Sequence, residues 1–204
     1  MSRPFNDRFL VNTNRRVSAI TTLSPMHWWP SFKLRVVFFL RQFGWFTENA
    51  ESLKRLSFIH FARWVIIRRN SFPRLDRSQP MEDLKYDYLL FCSNFNGTWD
   101  QYIDAFSHAI PIGMDRAFGS SVKYPGSIPT TPFKHYIRAN QLDTNYYYSA
   151  YPHATTNDVK RALDLAAKFQ DFAARARTMT PTEFQEEYEL FLYEVQNDLG
   201  ASGP

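Results

Sequence analysis

Phe58-Ile59-His60-Phe61-Ala62-Arg63-Trp64-Val65-Ile66-Ile67 and Tyr86-Asp87-Tyr88-Leu89-Leu90-Phe91-Cys92-Ser93-Asn94 decide the fold. Both runs are dense in β-branched, aromatic and aliphatic residues, which predicts two neighbouring buried strands. The connection between them is hydrophilic and holds Pro73 and Pro80. Phe95-Asn96-Gly97 closes the second run and reads as a turn. A helix rather than a second strand follows it, because Thr98 can cap a helix and Asp100 falls in the first turn. Trp99, Tyr102, Ile103, Phe106 and Ile110 form that helix's apolar stripe, and Pro111 ends it.

Upstream, residues 17–23 are short and β-branched and predict a first strand bounded by Ser24-Pro25. A helix over residues 32–46 follows, with Ser31 as its cap. At about 100° per residue, Phe32, Val36, Phe39, Leu40, Phe43 and Phe46 share one face, expected to cover the sheet. Leu34, Phe38 and Trp45 form a second, smaller strip, with Lys33, Arg35, Arg41 and Gln42 between the two. A short helical segment over residues 51–56 leads into the strand at Phe58. Residues 1–16 are polar and basic and read as a flexible arm.

Downstream, a strand is expected near residues 117–124, and a short helix over residues 133–140 after Thr131-Pro132. Residues 145–151 read as a tyrosine-rich strand ending at Pro152. Thr155 with Asp158, and Thr180 with Pro181 and Glu183, are capping boxes for two helices, the second carrying Phe184, Tyr188, Phe191, Leu192, Val195 and Leu199 at helical spacing.

Strand, helix, strand, strand, helix, strand is the ferredoxin-like βαββαβ order, an α+β fold whose antiparallel sheet has helices on one face. The expected organisation is an arm (1–16), an α+β domain (17–154) and a helical extension (155–204) packed on that domain. The other sheet face then needs a twin, an extension or a ligand. Aromatic residues make up 17% of the chain, more than one core readily absorbs, and such residues tend to line pockets and interfaces. The net charge of +4 permits contact with an anionic surface without demanding it. The single cysteine, Cys92, excludes an internal disulfide and points to a reducing, cytoplasmic setting. No secretory leader is expected from the first 16 residues, and no apolar run approaches the ~20 residues that span a bilayer.

Ile59-His60-Phe61-Ala62-Arg63-Trp64, the run Leu89 to Gly97, Phe133-Lys134-His135-Tyr136-Ile137-Arg138 and Tyr148-Ser149-Ala150-Tyr151-Pro152 resemble a family of mostly bacterial proteins. That family in turn resembles the dimeric α+β barrel superfamily, which includes dye-decolorising peroxidases, chlorite dismutases and small monooxygenases. The resemblance implies a ferredoxin-like fold, a homodimer, and haem or aromatic-ligand binding. It supplies no catalytic residue, and fold analogy alone does not give function.

Alternation along the strand at Phe58 puts His60 and Trp64 on one face and Arg63 on the other. His60 is a candidate haem ligand or general base, or a histidine hydrogen-bonded within the sheet. Arg63 is a candidate partner for a carboxylate or haem propionate, or for Asp87 or Asp104 of this chain. Asn94 and Asn96 flank a strand-to-helix loop that either receives an anion or caps backbone groups. Tyr146, Tyr148 and Tyr151 are candidates for an aromatic wall, or ordinary core and surface. The five histidines lack metal-ligand spacing, and no Walker, Rossmann or nucleophile-elbow motif occurs. The RNA-binding aromatic pattern is missing, so no nucleic-acid partner is expected. Three functions stay open. The first is a homodimeric module holding an apolar or aromatic molecule, or a protein, against its sheet. The second is an oxidoreductase, haem-dependent or cofactor-free, built on His60 and Arg63. The third is a peripheral membrane protein docking through Trp28, Trp29, Lys33, Arg35, Phe38, Arg41 and Trp45.

Overall fold

The structure, a computed structural model, describes residues 12–42 and 56–199. The helical segment expected at 51–56 and Phe43, Trp45 and Phe46 therefore lie outside the described residues, Leu56 excepted. The chain divides into two compact units, Met1–His153 and Ala154–Pro204.

The first unit is α+β. Its strands are β1 (Thr13–Asn14), β2 (Val17–Met26), β3 (Ile59–Ile67) and β4 (Asp87–Asn96). They form one antiparallel sheet in the order β1-β2-β4-β3. Helix α1 (Trp28–Gln42) links β2 to β3, and α2 (Trp99–Ala109), α3 (Pro111–Phe118) and α4 (Thr130–Asn140) follow β4. Strand, helix, strand, strand, helix is thus present as β2, α1, β3, β4, α2. The ferredoxin-like βαββαβ order is not completed among the described residues, because 145–151 form no strand. Nor do 117–124: α3 runs to Phe118, and only Ser121 makes a single bridge, to Met26. Pro111, read as the end of one helix, also opens the next, because its fixed φ and missing N–H suit a first helical turn.

Two further expectations are corrected. Part of the presumed arm is structured: Thr13 and Asn14 pair with Ser18 and Val17 around an Arg15–Arg16 turn, with Arg15 at φ 57°. The buried Asn12 accepts a hydrogen bond from the Thr144 N–H at 2.7 Å. Strand β2 also runs through Ser24 and Pro25 to Met26 instead of ending at Leu23. The Pro25 carbonyl accepts from Val122 N–H, so that residue's backbone groups face away from β4 and the missing N–H removes no ladder bond. Thr22 bridges Gln141 along the same margin.

Strict alternation in β4 buries Asp87, Leu89, Phe91, Ser93 and Phe95 and leaves the intervening residues half-buried. The inner row packs against α2, α3 and α4: Phe95 stacks on Tyr102 with ring centroids 3.8 Å apart, and Phe91 meets Phe118 edge-on at 5.6 Å. Gly97 (φ +94) turns the chain out of β4, where a Cβ would press on Gln101 Oε1 at 3.1 Å. Thr98 and Gln101 then form a reciprocal capping box. The second unit pairs α5 (Thr156–Ala176) with α6 (Pro181–Val195), started by the two expected capping boxes. Phe172, Phe191 and Val195 form its buried core.

Candidate functional site

Helix α1 packs with the face opposite to the one expected. Ser31 and Leu34 are buried and Phe38 is half-buried against the core, so the narrow strip faces the sheet. Trp28 (58% exposed), Trp29 (49%), Phe32, Val36 and Phe39 are open instead. On a helical wheel these five fall in one arc about 100° wide. Arg35 borders it on one side and Lys33 on the other. Trp29 lies at the arc's edge, its ring 5.5 Å from Trp28 and stacked on Phe32 at 5.9 Å, with the Lys33 ammonium 5.4 Å from its centroid. Phe32, Arg35, Val36, Phe38, Phe39 and Ile66 line a shallow groove of about 440 Å³.

The register places a second feature beside this helix. Met26, the last residue of β2, pairs with Asp87, and Ile67, the last of β3, pairs with Tyr88. Helix α1 and the β3–β4 connection, residues 68–86, therefore spring from the same end of the sheet. The His27 and Tyr86 rings meet edge-on at 5.4 Å across that end. The connection carries Arg68, Arg69, Arg74, Arg77 and Lys85 against Asp76, Glu82 and Asp83. Leu75 at its tip is 92% exposed, and Phe72 and Met81 are also open.

The candidate ligand-binding residues do not converge on one site. His60 and Trp64 face the helices. His60 is the extra residue of a bulge between Ile59 and Phe61, and Trp64 packs on Phe91 at 5.0 Å. Among the described residues, the buried Nε2 of His60 and Nε1 of Trp64 have no hydrogen-bond partner. Arg63 is exposed on the opposite face, beside Cys92, and pairs with neither expected carboxylate. Asp87 instead accepts from Arg69 N–H at 2.9 Å, and Asp104 pairs with Lys134 at 2.8 Å. Cys92 is half-buried on that outer face.

Asn94 also faces outward and donates from Nδ2 to the Tyr147 hydroxyl, while Asn96 Nδ2 donates to the Arg16 carbonyl at 2.8 Å. Burial pushes the Tyr147 phenol up. Tyr146 (81% exposed), Tyr148 and Tyr151 stand in solvent and form no wall. Of the docking residues, Trp28, Trp29, Lys33 and Arg35 are exposed and Phe38 faces inward; Trp45 and the Arg41 side chain lie outside what is described. The basic connection was missed at the sequence level. Its charge count was visible, but its position beside α1 depends on the strand register.

Among the described residues no helix is long and apolar enough to cross a membrane. Within the same residues, no group of His, Cys, Asp or Glu is placed to hold a metal ion. Comparison with known protein families, with curated proteins and with solved structures finds no match.

Proposed function

We propose that this chain is a peripheral docking domain that binds an anionic lipid surface through α1. The observation that carries the reading is the exposed aromatic arc of α1 with a basic residue on each flank. In an interfacial helix, tryptophan rings sit at headgroup level and apolar side chains sink below it. Lysine and arginine at the flanks lay their stems along the apolar layer and lift their charges to the phosphates. Lys33 and Arg35 occupy those flanks. The basic connection at the same end of the sheet adds long-range attraction, at about 1 kcal/mol for each Lys or Arg brought to the surface.

Co-sedimentation with vesicles tests the reading. Binding is expected to vesicles of phosphatidylcholine with about one third phosphatidylserine, and to weaken steeply with salt. Equal binding to pure phosphatidylcholine would remove the electrostatic half of the proposal. No binding to either composition would remove all of it.

A second reading, the homodimeric or ligand-holding sheet, keeps one specific observation in its favour. Leu23, Leu90 and Val65 line up across three strands on the outer face, and Phe61, further along β3 on that face, is 56% exposed. Light scattering after size exclusion decides its dimeric form: a chain that stays monomeric up to high micromolar concentration does not use that face for a twin.

A further inference from the structure

The β3–β4 connection is a built loop with a pocket in it. Arg69 N–H donates to Asp87 Oδ1 at 2.9 Å and fixes one end of the connection to β4. At the tip, Asp76 Oδ1 accepts from Ser78 N–H at 2.6 Å, and Leu75 N–H donates to Gln79 Oε1 at 2.8 Å. The two arms fold towards each other around about 330 Å³, within the range of small-ligand pockets. Arg69, Asn70, Ser71 and Arg74 line one arm; Glu82 lines the other, beside Pro80 and Met81.

The charges in this pocket do not cancel. Among the described residues neither Arg69 nor Arg74 has a carboxylate within ion-pair distance, and Glu82 has no basic partner. Asp76, the acid nearest in sequence to Arg74, already spends its Oδ1 on Ser78 and Gln79. Two arginines, an asparagine and a serine in one lining suit a tetrahedral oxyanion, because a guanidinium fork offers paired donors at the spacing of two phosphate oxygens. Asn70 Oδ1 accepts from Arg68 Nη2 at 3.2 Å, so its donor for an anion is Nδ2.

We propose that this pocket is a phosphate-binding site, with Arg69 and Arg74 as the paired donors and Asn70 and Ser71 completing the shell. A phosphomonoester lipid headgroup and a soluble phosphate ester present the same group. The lipid source rests on the docking reading above; the site itself does not.

Amide-resolved NMR on the whole chain tests it, with sodium phosphate titrated against sodium chloride at constant ionic strength. Saturable shifts confined to residues 69–74 and 80–82 are expected. Arg69→Gln and Arg74→Gln should each weaken the response tenfold or more, and Arg77→Gln, outside the pocket wall, by less than twofold. Glu82→Gln should strengthen it several-fold, since it removes the opposing charge. Phosphate shifts that are absent or unsaturable, equal losses in all three arginine variants, or weaker binding in Glu82→Gln would overturn the site.

Two further arms separate the sources. Glycerol 3-phosphate matching inorganic phosphate, with no preference for phosphatidic acid over phosphatidylserine vesicles of equal surface charge, assigns a soluble ester. A preference for phosphatidic acid that vanishes in Arg74→Gln assigns the headgroup. Vesicle binding without a phosphate response sinks the pocket and spares the α1 reading; a phosphate response without vesicle binding does the reverse.

Discussion

Trp29→Ala isolates the apolar part of the proposed docking. An aromatic side chain carries roughly 150–250 Å² of surface. With 49% of the residue exposed, roughly 100 Å² of Trp29 is free to leave water. At ~25 cal/mol per Å² this is worth ~2.5 kcal/mol if fully buried. The ring stacks on Phe32 and would sit at headgroup level, so about half of that is expected in practice, a loss of roughly tenfold in vesicle partitioning. Its folding cost is small, within about 0.5 kcal/mol, because the side chain lies on the surface. The assay is co-sedimentation with vesicles one third anionic, at two salt concentrations, beside a urea unfolding curve for each protein. Leu190→Ala, on an exposed face of α6, is the control for unspecific apolar contact and should leave partitioning unchanged. Partitioning of Trp29→Ala within twofold of the parent would refute the insertion of α1, as would an equal loss in Leu190→Ala.

Two other outcomes follow from the packing. Phe95→Ala should lower stability by about 3–5 kcal/mol in urea unfolding, since Phe95 is fully buried and stacked on Tyr102; a loss under about 1 kcal/mol would contradict the central place given to that stack. Asp115 ties α3 to the loop after it, accepting from the Tyr124 hydroxyl and the Ser127 N–H, both at 2.8 Å. Burial pushes its carboxyl up, but the hydrogen bonds from Tyr124 and Ser127 outweigh this and hold it below the ordinary 3.8. A carboxyl lowered by folding stabilises fully above its unfolded value and loses that contribution as pH falls through the folded one. The melting-temperature difference between the parent and Asp115→Asn should therefore be largest above pH 4 and shrink in acid; a difference that grows on acidification would show the sign to be wrong.

What the sequence disclosed, and what it withheld, separates along physical lines. Strands β3 and β4, the Thr98 cap and the capping boxes at Thr155 and Thr180 were legible because each is local, a run of strand-forming side chains or a hydroxyl just ahead of a helix; the reciprocal Gln101 of the Thr98 cap was not read. The inversion of α1 was not legible, because both strips are apolar and periodicity cannot rank two apolar faces. Ser31 at the head of the narrow strip is small and lets the helix approach the sheet, whereas the wider strip starts with bulky rings. The tyrosine-rich segment carries strand-forming residues, yet it forms no ladder: Tyr147 meets Asn94, and the flanking Leu142, Thr144 and Pro152 are tied separately to Thr21, Asn12 and Arg16. Hairpin β1–β2 offered no Asn-Gly or Asp-Gly turn, only Arg15-Arg16. The split between His60 and Arg63 was legible from alternation, but the bulge at His60 was not.

The two single-residue bridges along the outer margin of β2 carry a consequence for self-association. An invading strand needs a run of consecutive free N–H and C=O groups to zip onto. Bridges at Thr22 and Met26 interrupt that margin every few residues, and Pro25 removes a donor between them. Foreign chains, including misfolded copies of this one, are thus denied a template there without a full neighbouring strand being spent to block them.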